Sequence, residues 1–547
     1  MPLRPTAEPP GILRLPGGRG LTFLYRTAQL RQIEDRAGAA LAAGTLMARA
    51  GKSAAAWIDA WRAARVKAGE GLGAGRAILL LCGPGNNGGD GFACAAALRG
   101  LGHRCVCWAP QPSRTSDARG ARARWESMGG AVAEMLPRPS EVALVVDALF
   151  GIGLARPLEE PFLGALRWTR ENALPMLALD VPSGLDADTG NWVGGVAGVS
   201  SLATITFLGD KPGLHTLEGM DAAGHVTVAA LDVQDAEAVL PGRLNGPDLF
   251  PAALAPRPAN CNKGDFGSVA VVGGASGMVG AALLAGRAAL RLGAGKVFVQ
   301  CLADAAPAVD PQQPELMFRP VDGRGRSRLE AGVVVAGCGL GTGAESRECL
   351  RLALGHGGPL VLDADALNLL AAEPQLRDLL YLRGPEQTVL TPHPGEAGRL
   401  LDIDARAVQL DRVSRALSLA QGLECIVVLK GAGSVIALPS SLARSLGWPY
   451  VINPTGTGAL ASAGTGDVLA GMIGSLLAQI RGPDSAACAA QAVLAAVWLH
   501  GQAASDFGGD LGLVASDIAP LAAGTLSRLR AGRDGALSPA PPLGPPG

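Results

Sequence analysis

Short, unbroken apolar runs that end in glycine-rich turns recur along this 547-residue chain, and they limit its fold more than any other feature. Runs of this kind alternating with helical stretches predict parallel sheets with crossover helices. A first series comprises AILLLC (77–82), HRCVCW (103–108), VALVVD (142–147), PMLALD (175–180) and ATITFL (203–208), preceded by an Ala-rich helical region over 27–67. A second series follows after 260: SVAVVGG (268–274), KVFVQC (296–301), GVVVAG (332–337), LVLDAD (360–365), TVLTPH (388–393) and CIVVLKG (425–431). Turn signals and prolines between the two series place a join near 233–250. The expectation is two α/β domains, 21–238 and 245–532, flanked by disordered ends at 1–20 and 533–547.

Composition narrows the function classes. Hydrophobic residues make up 48% and charged residues 17%, so both domains can bury a core and global disorder is excluded. Glycine, 77 residues, is well above the roughly 7% of average proteins and gathers behind the apolar runs. A net charge of −1 and 4% aromatics argue against a nucleic-acid partner. No apolar run is long enough for a spanning helix, and the Pro/Gly/Arg-rich start does not read as a secretory signal. Ten cysteines without CxxC pairs read as free, buried thiols of a cytoplasmic protein, with Cys105 and Cys107 on one side of their strand. Positive charge is nearly all arginine, so the six lysines (52, 67, 211, 263, 296, 430) stand out.

The densest turn is GPGNNGGDG at 83–91, between an apolar strand and an Ala-rich helix. Glycines admit close approach of an anionic ligand, and the helix start offers unpaired N–H groups. Gly83, Gly85 and Gly88 formally satisfy GxGxxG, but the next strand ends CWAPQPSR with no acid before Asp117, so an ordinary nicotinamide-dinucleotide site is poorly supported. Two later strands end in acids, Asp147 and Asp180, the latter followed by Pro182, Ser183 and Gly184. Ligands of parallel sheets bind outside the carboxyl ends of the strands, so loops 86–90, 147–157 and 180–184 should share one crevice. Carboxylate, amide and hydroxyl oxygens there suit acid–base work or a hard cation. Each aspartate taken singly is also a common turn cap.

In the second series, Gly464-Thr465-Gly466-Asp467 opens an apolar helix. Helix-end amides facing a carboxylate suit phosphoryl transfer, although an aspartate in that position is most often a cap. Lys430 ends a strand before the turn Gly431-Ala432-Gly433-Ser434, and His393 and Glu396 lie in a loop at another strand end.

GPGNNGGDG, DALFGIGL and DVPSGLDADTG, preceded by LMARAG at 46–51, resemble the NAD(P)H-hydrate epimerase family, the YjeF N-terminal domain, over roughly 25–230. The resemblance implies a Rossmann-like three-layer domain. It assigns the hydrated nicotinamide nucleotide to Asn86, Asn87, Gly88, Gly89 and Asp90, and to Gly151, Ile152, Gly153, Leu154, Ala155, Arg156 and Pro157, with Asp180 as acid/base. It also implies K+ at Asn87, Asp147 and Ser183. LMARAG departs from the usual version at Ala48 and Arg49.

NKGDFG, GCGLGTG (337–343), LDADALN (362–368), TPHPGE, VVLKGAGS and AGTGDVLAG resemble the ADP/ATP-dependent NAD(P)H-hydrate dehydratase family over about 245–530. That resemblance implies a ribokinase-like domain in which the nucleotide phosphorylates the hydrate and loss of phosphate restores the ring double bond. Lys430, Gly431, Ala432, Gly433, Ser434 and Gly466 would contact ADP (or ATP) with Mg2+. Ala281, Gly339, His393 and Asp467 would contact the hydrate, with Asp467 as base. Gly456-Thr457-Gly458-Ala459 replaces the family's usual Asn-Pro-Gly. The combined expectation is a cytoplasmic homo-oligomer that repairs hydrated NADH and NADPH (NADHX and NADPHX). A small-molecule kinase fused to a non-catalytic nucleotide-binding scaffold is the alternative.

Overall fold

The structure is a computed structural model that describes residues 23–69, 75–233, 240–319 and 331–533. The first 20 residues and the tail beyond Arg533, expected to be disordered, lie outside the described residues. The chain divides into two compact units, Met1–Arg243 and Leu244–Gly547.

In the first unit, β1 (Ala77–Cys82), β2 (Cys105–Trp108), β3 (Val132–Ala133), β4 (Val142–Ala148), β5 (Met176–Leu179), β6 (Ala203–Phe207) and β7 (His225–Ala229) form one sheet. Its order is β3-β2-β1-β4-β5-β6-β7, parallel throughout. β1 alternates strictly: Ile78, Leu80 and Cys82 join one apolar layer, Leu79 and Leu81 the other. α2 (Thr45–Lys67) and α3 (Asn86–Gly100) supply Ala50, Ala54, Phe92 and Ala95 to the first layer, and α5 (Phe162–Glu171) supplies Phe162 and Leu166 to the second. α4 (Ser116–Ser127) buries Trp125 in the first layer. The helical region over 27–67 is two helices rather than one: α1 (Thr27–Ala40) ends before Gly44, whose φ of +76° starts α2. Cys105 and Cys107 do share a side, both packing on the first layer.

In the second unit, β8 (Ser268–Gly273), β9 (Lys296–Cys301), β10 (Met317–Phe318), β11 (Val333–Ala336), β12 (Leu360–Leu362), β13 (Thr388–Leu390), β14 (Ile426–Leu429), β15 (Val435–Ala437) and β16 (Tyr450–Ile452) pair in the order β16-β15-β14-β13-β12-β11-β8-β9-β10. β14–β15 and β15–β16 are antiparallel; the other pairs are parallel. α6 (Val279–Arg291), α11 (Thr465–Gln479), α12 (Ser485–Phe507) and α13 (Ala515–Arg533) share one alanine-rich core with Val269, Val299 and Val335 of the sheet. Shorter helices connect the central strands: α7 (Ala344–Leu354), α8 (Asp365–Ala372), α9 (Pro394–Leu401) and α10 (Arg412–Gly422).

Both sheets reverse strand order once, between β1 and β4 and between β8 and β11, and such switch points open a crevice at the carboxyl ends of the strands. All ten cysteines are free. Among the described residues, no helix is long and apolar enough to cross a membrane.

Candidate active sites

The first unit ties its three polar loops together by hydrogen bonds. At the end of β4, the fully buried Asp147 accepts from the Ser183 N–H (2.8 Å) and Ser183 Oγ (2.6 Å). Ser183 Oγ in turn accepts from Phe150 N–H at 3.0 Å. Asn87, one residue into α3, donates through Nδ2 to Leu179 O at 3.2 Å, while its Oδ1 is buried without a hydrogen-bond partner. Burial pushes the Asp147 carboxyl above its ordinary range, against the opposing pull of the Ser183 and Leu149 hydrogen bonds.

Asp180 follows β5 with φ at +69°, a left-handed conformation that aspartate tolerates. Its Oδ2 accepts from Ile152 N–H at 3.2 Å. Its Oδ1 pairs with Lys211 Nζ at 2.8 Å. A Cβ on Gly151 would lie 2.4 Å from Asp180 Oδ2, so only glycine lets this loop close over the carboxylate. Asp90 lies partly exposed one turn into α3, and burial plus the charges of Asp180 and Glu34 push its carboxyl well up.

The other predicted contacts divide by exposure. Asn86, Gly153, Ala155, Arg156 and Pro157 are exposed, Gly151, Ile152 and Leu154 are half-buried, and Gly88 and Gly89 are buried. A Cβ on Gly88 would lie 1.8 Å from Gly83 O, so this glycine serves the fit of α3 on the strand-end turn. Arg49, one of the departures in LMARAG, donates to Leu231 O at 2.8 Å.

The second unit gathers its predicted residues at the ends of β11 to β14. Lys430 Nζ pairs with Asp363 Oδ1 at 2.6 Å and lies 3.9 Å from Glu396 Oε2. Burial works to lower its pKa, but Asp363 and Glu396 outweigh burial and the net shift is upward. The ammonium read as a phosphate contact is thus held against Asp363, beside Gly466, whose added Cβ would lie 3.2 Å from it.

His393 caps α9: its Nδ1 accepts from Gly395 N–H at 3.0 Å, and Glu396 Oε2 accepts from the His393 N–H at 2.8 Å. Burial works to raise Glu396, but His393 and Lys430 hold it below the usual range. Asp467, in the first turn of α11, is pushed up to about 6 by burial and by Asp363, with the Cys338 thiol and Lys430 opposing. Gly339 and Ala281 are neighbours, a Gly339 Cβ falling 3.1 Å from that of Ala281. In the turn at 431–434, Gly431 and Ala432 are exposed and Ser434 Oγ donates to Gly431 O at 3.1 Å.

Residues 43–213 match the family described as YjeF-related protein N-terminus, and residues 269–522 the one described as NAD(P)H-hydrate dehydratase. The bifunctional NAD(P)H-hydrate repair enzyme Nnr of Escherichia coli (strain K12) is 36% identical over 454 residues, 80% of this chain and 83% of that protein. The chain belongs to the bifunctional NAD(P)H-hydrate repair enzymes. The Nnr protein of Coxiella burnetii is 35% identical over 516 residues, 91% of this chain and 98% of that one. The ADP-dependent (S)-NAD(P)H-hydrate dehydratase of Neisseria meningitidis serogroup B is 41% identical over 280 residues, 50% of this chain and 89% of that protein.

Three residues of this repair-enzyme chain went unassigned in the motifs. Lys211 is 1% exposed and donates to Thr206 Oγ1, Phe207 O and Gly209 O as well as pairing with Asp180. Its rarity as a lysine was the only signal. Asp363 sits inside LDADALN, but its pairing with Lys430 spans 67 positions. Cys338, within GCGLGTG, lies with Asp363 and Asp467 so that their ligand atoms are within 4.8 Å of one another.

Proposed function

We infer that the chain repairs hydrated NADH and NADPH, its first unit interconverting the R and S hydrates and its second dehydrating the S form with a nucleotide. The observation that carries this reading is that one chain holds both family domains, each with an acid among the groups at the carboxyl ends of its parallel strands. In the first unit Asp180, held by Ile152 N–H and Lys211, is the acid/base for inverting the hydrated carbon. In the second, Asp467 accepts the proton of the hydrate's hydroxyl as its oxygen takes the terminal phosphoryl group of ADP, releasing AMP. Departure of phosphate with loss of a ring proton restores the double bond.

The residues at Asp147 fit a potassium ion. Asn87 Oδ1 is buried and without a partner, and Ser183 Oγ and the Asp147 carboxylate offer further hard oxygen donors. A bound cation there would supply the positive charge that the buried carboxylate lacks. The Cys338, Asp363 and Asp467 group does not fit Mg2+, since a buried thiol is a poor ligand for a hard cation and Asp363 is already paired with Lys430. Mg2+ would instead arrive on the nucleotide phosphates.

The test follows absorbance at 340 nm while the protein acts on mixed R and S hydrates with ADP, Mg2+ and K+. Complete recovery of reduced cofactor, faster than spontaneous epimerisation, is expected, slowing beyond the S fraction when choline replaces K+. Recovery that halts at the S fraction would remove the epimerase role. No recovery with ADP or ATP would overturn the repair reading.

A further inference from the structure

Among the described residues of the second unit two guanidinium groups, those of Arg383 and Arg412, are buried, and they differ in what they brace. Arg383 donates to Leu354 O, His356 O, Gly358 O and Thr388 Oγ1, bracing the segments that lead into β12 and β13. That is the amino end of the strands, away from the crevice. Arg412, at the start of α10, is 1% exposed and lies under the carboxyl end of β14. Its Nη1 donates to Gln409 Oε1 at 2.7 Å, and its Nη2 to Leu429 O and Lys430 O, both at 3.2 Å. Its Nε has no hydrogen-bond partner.

These carbonyls belong to the residues that open the nucleotide turn. A trans peptide is planar, so its C=O and N–H point in opposite directions. Turning Lys430 O inward to the guanidinium therefore turns the Gly431 N–H away from it. Gly431 is exposed, with φ at +140°, and a Cβ there would lie 2.7 Å from Arg412 Nη1. The turn thus rests directly on the guanidinium. The Lys430 N–H is held by Pro392 O at 2.9 Å, which leaves Gly431 as the first amide of the turn aimed outward.

We propose that Arg412 is a positioning residue for the nucleotide half of the dehydratase, a buried cation that orients the Lys430–Gly431 peptide toward the nucleotide phosphates without touching them. Burial lowers its pKa to about 10, so it stays protonated at neutral pH. The proposal rests on the reading of 430–434 as the nucleotide turn.

The test compares Arg412→Met and Arg412→Lys with Arg383→Met as a structural control, in the full-length protein. Steady-state kinetics are combined with calorimetric binding of ADP and ATP. Arg412→Met is expected to raise KM and Kd for ADP about 10- to 100-fold, while KM for the S hydrate changes less than twofold. Arg412→Lys should recover part of the loss, and Arg383→Met should lower thermal stability without an ADP-specific effect. Equal movement of both KM values in Arg412→Met, or an unchanged Kd for ADP in the folded variant, would overturn the proposal. If Arg412→Met does not fold, Gln409→Leu removes the acceptor that orients the guanidinium and should still raise KM for ADP alone; an unchanged KM there also overturns it. A wild-type chain that binds neither nucleotide would refute the turn assignment itself, and the proposal with it.

Discussion

Two single residues, Gly151 and Asp467, test the chemistry most directly. Gly151 has no room for a methyl group because Asp180 Oδ2 occupies the place of its Cβ at 2.4 Å. Gly151→Ala must push the loop or the carboxylate aside, so epimerisation is expected to fall at least tenfold with dehydration of pure S hydrate unchanged. A normal epimerisation rate would show that the carboxylate's position is not critical. As the proposed base, Asp467 has to be ionised to accept a proton, so dehydration should decline toward acid with a midpoint near the value of about 6 to which burial and Asp363 push it. The same shift has a cost in stability. A carboxyl raised above its unfolded value of 3.8 penalises the folded state only where it ionises, so the penalty is absent below that value and grows as pH rises toward 6. Asp467→Asn should therefore abolish dehydration yet stabilise the second unit at pH 8 by about 1–2 kcal/mol after solvent screening. Thermal melts at pH 8 and pH 4 check the sign, the gain vanishing at the lower pH.

At the scale of elements, packing sets the geometry of the second crevice. α11 carries Asp467 at its start and lies against α6 so closely that a Cβ on Gly471 would fall 2.1 Å from Ala285 O. Gly471→Ala is expected to separate the two helices and destabilise the unit by about 1–3 kcal/mol, read as a lower urea midpoint for loss of dehydratase activity. An unchanged midpoint would mean that the helices can shift without penalty. Elements of this kind differ in how openly the sequence shows them. β1 coincides with its apolar run at 77–82 because a strand buried on both faces is hydrophobic without interruption. β3, β7 and β10 went unread because they are short or half-exposed at sheet edges. β15 and β16, three residues each, were hidden by brevity. The residue pairs that complete the sites were beyond reach for another reason. Lys211 with Asp180, and Lys430 with Asp363, meet only because neighbouring strand-end loops converge, and no spacing in the chain announces that.

At the scale of the whole molecule, each crevice draws every residue described from one unit. Glu34, Asn87, Asp90, Asp147, Asp180, Ser183 and Lys211 lie in Met1–Arg243, and Asp363, His393, Glu396, Lys430 and Asp467 in Leu244–Gly547. Neither set needs a side chain from the other, so the two reactions should separate cleanly by mutation and recombine in solution. Asp180→Asn alone is expected to convert the S fraction and then proceed only at the spontaneous rate of epimerisation, while Asp467→Asn alone should yield no reduced cofactor. An equimolar mixture of the two variants should restore complete recovery at 340 nm from mixed hydrates, because R hydrate inverted on one chain can be dehydrated on another. A mixture that stalls at the S fraction would show that joining the units in one chain does more than place two catalysts side by side.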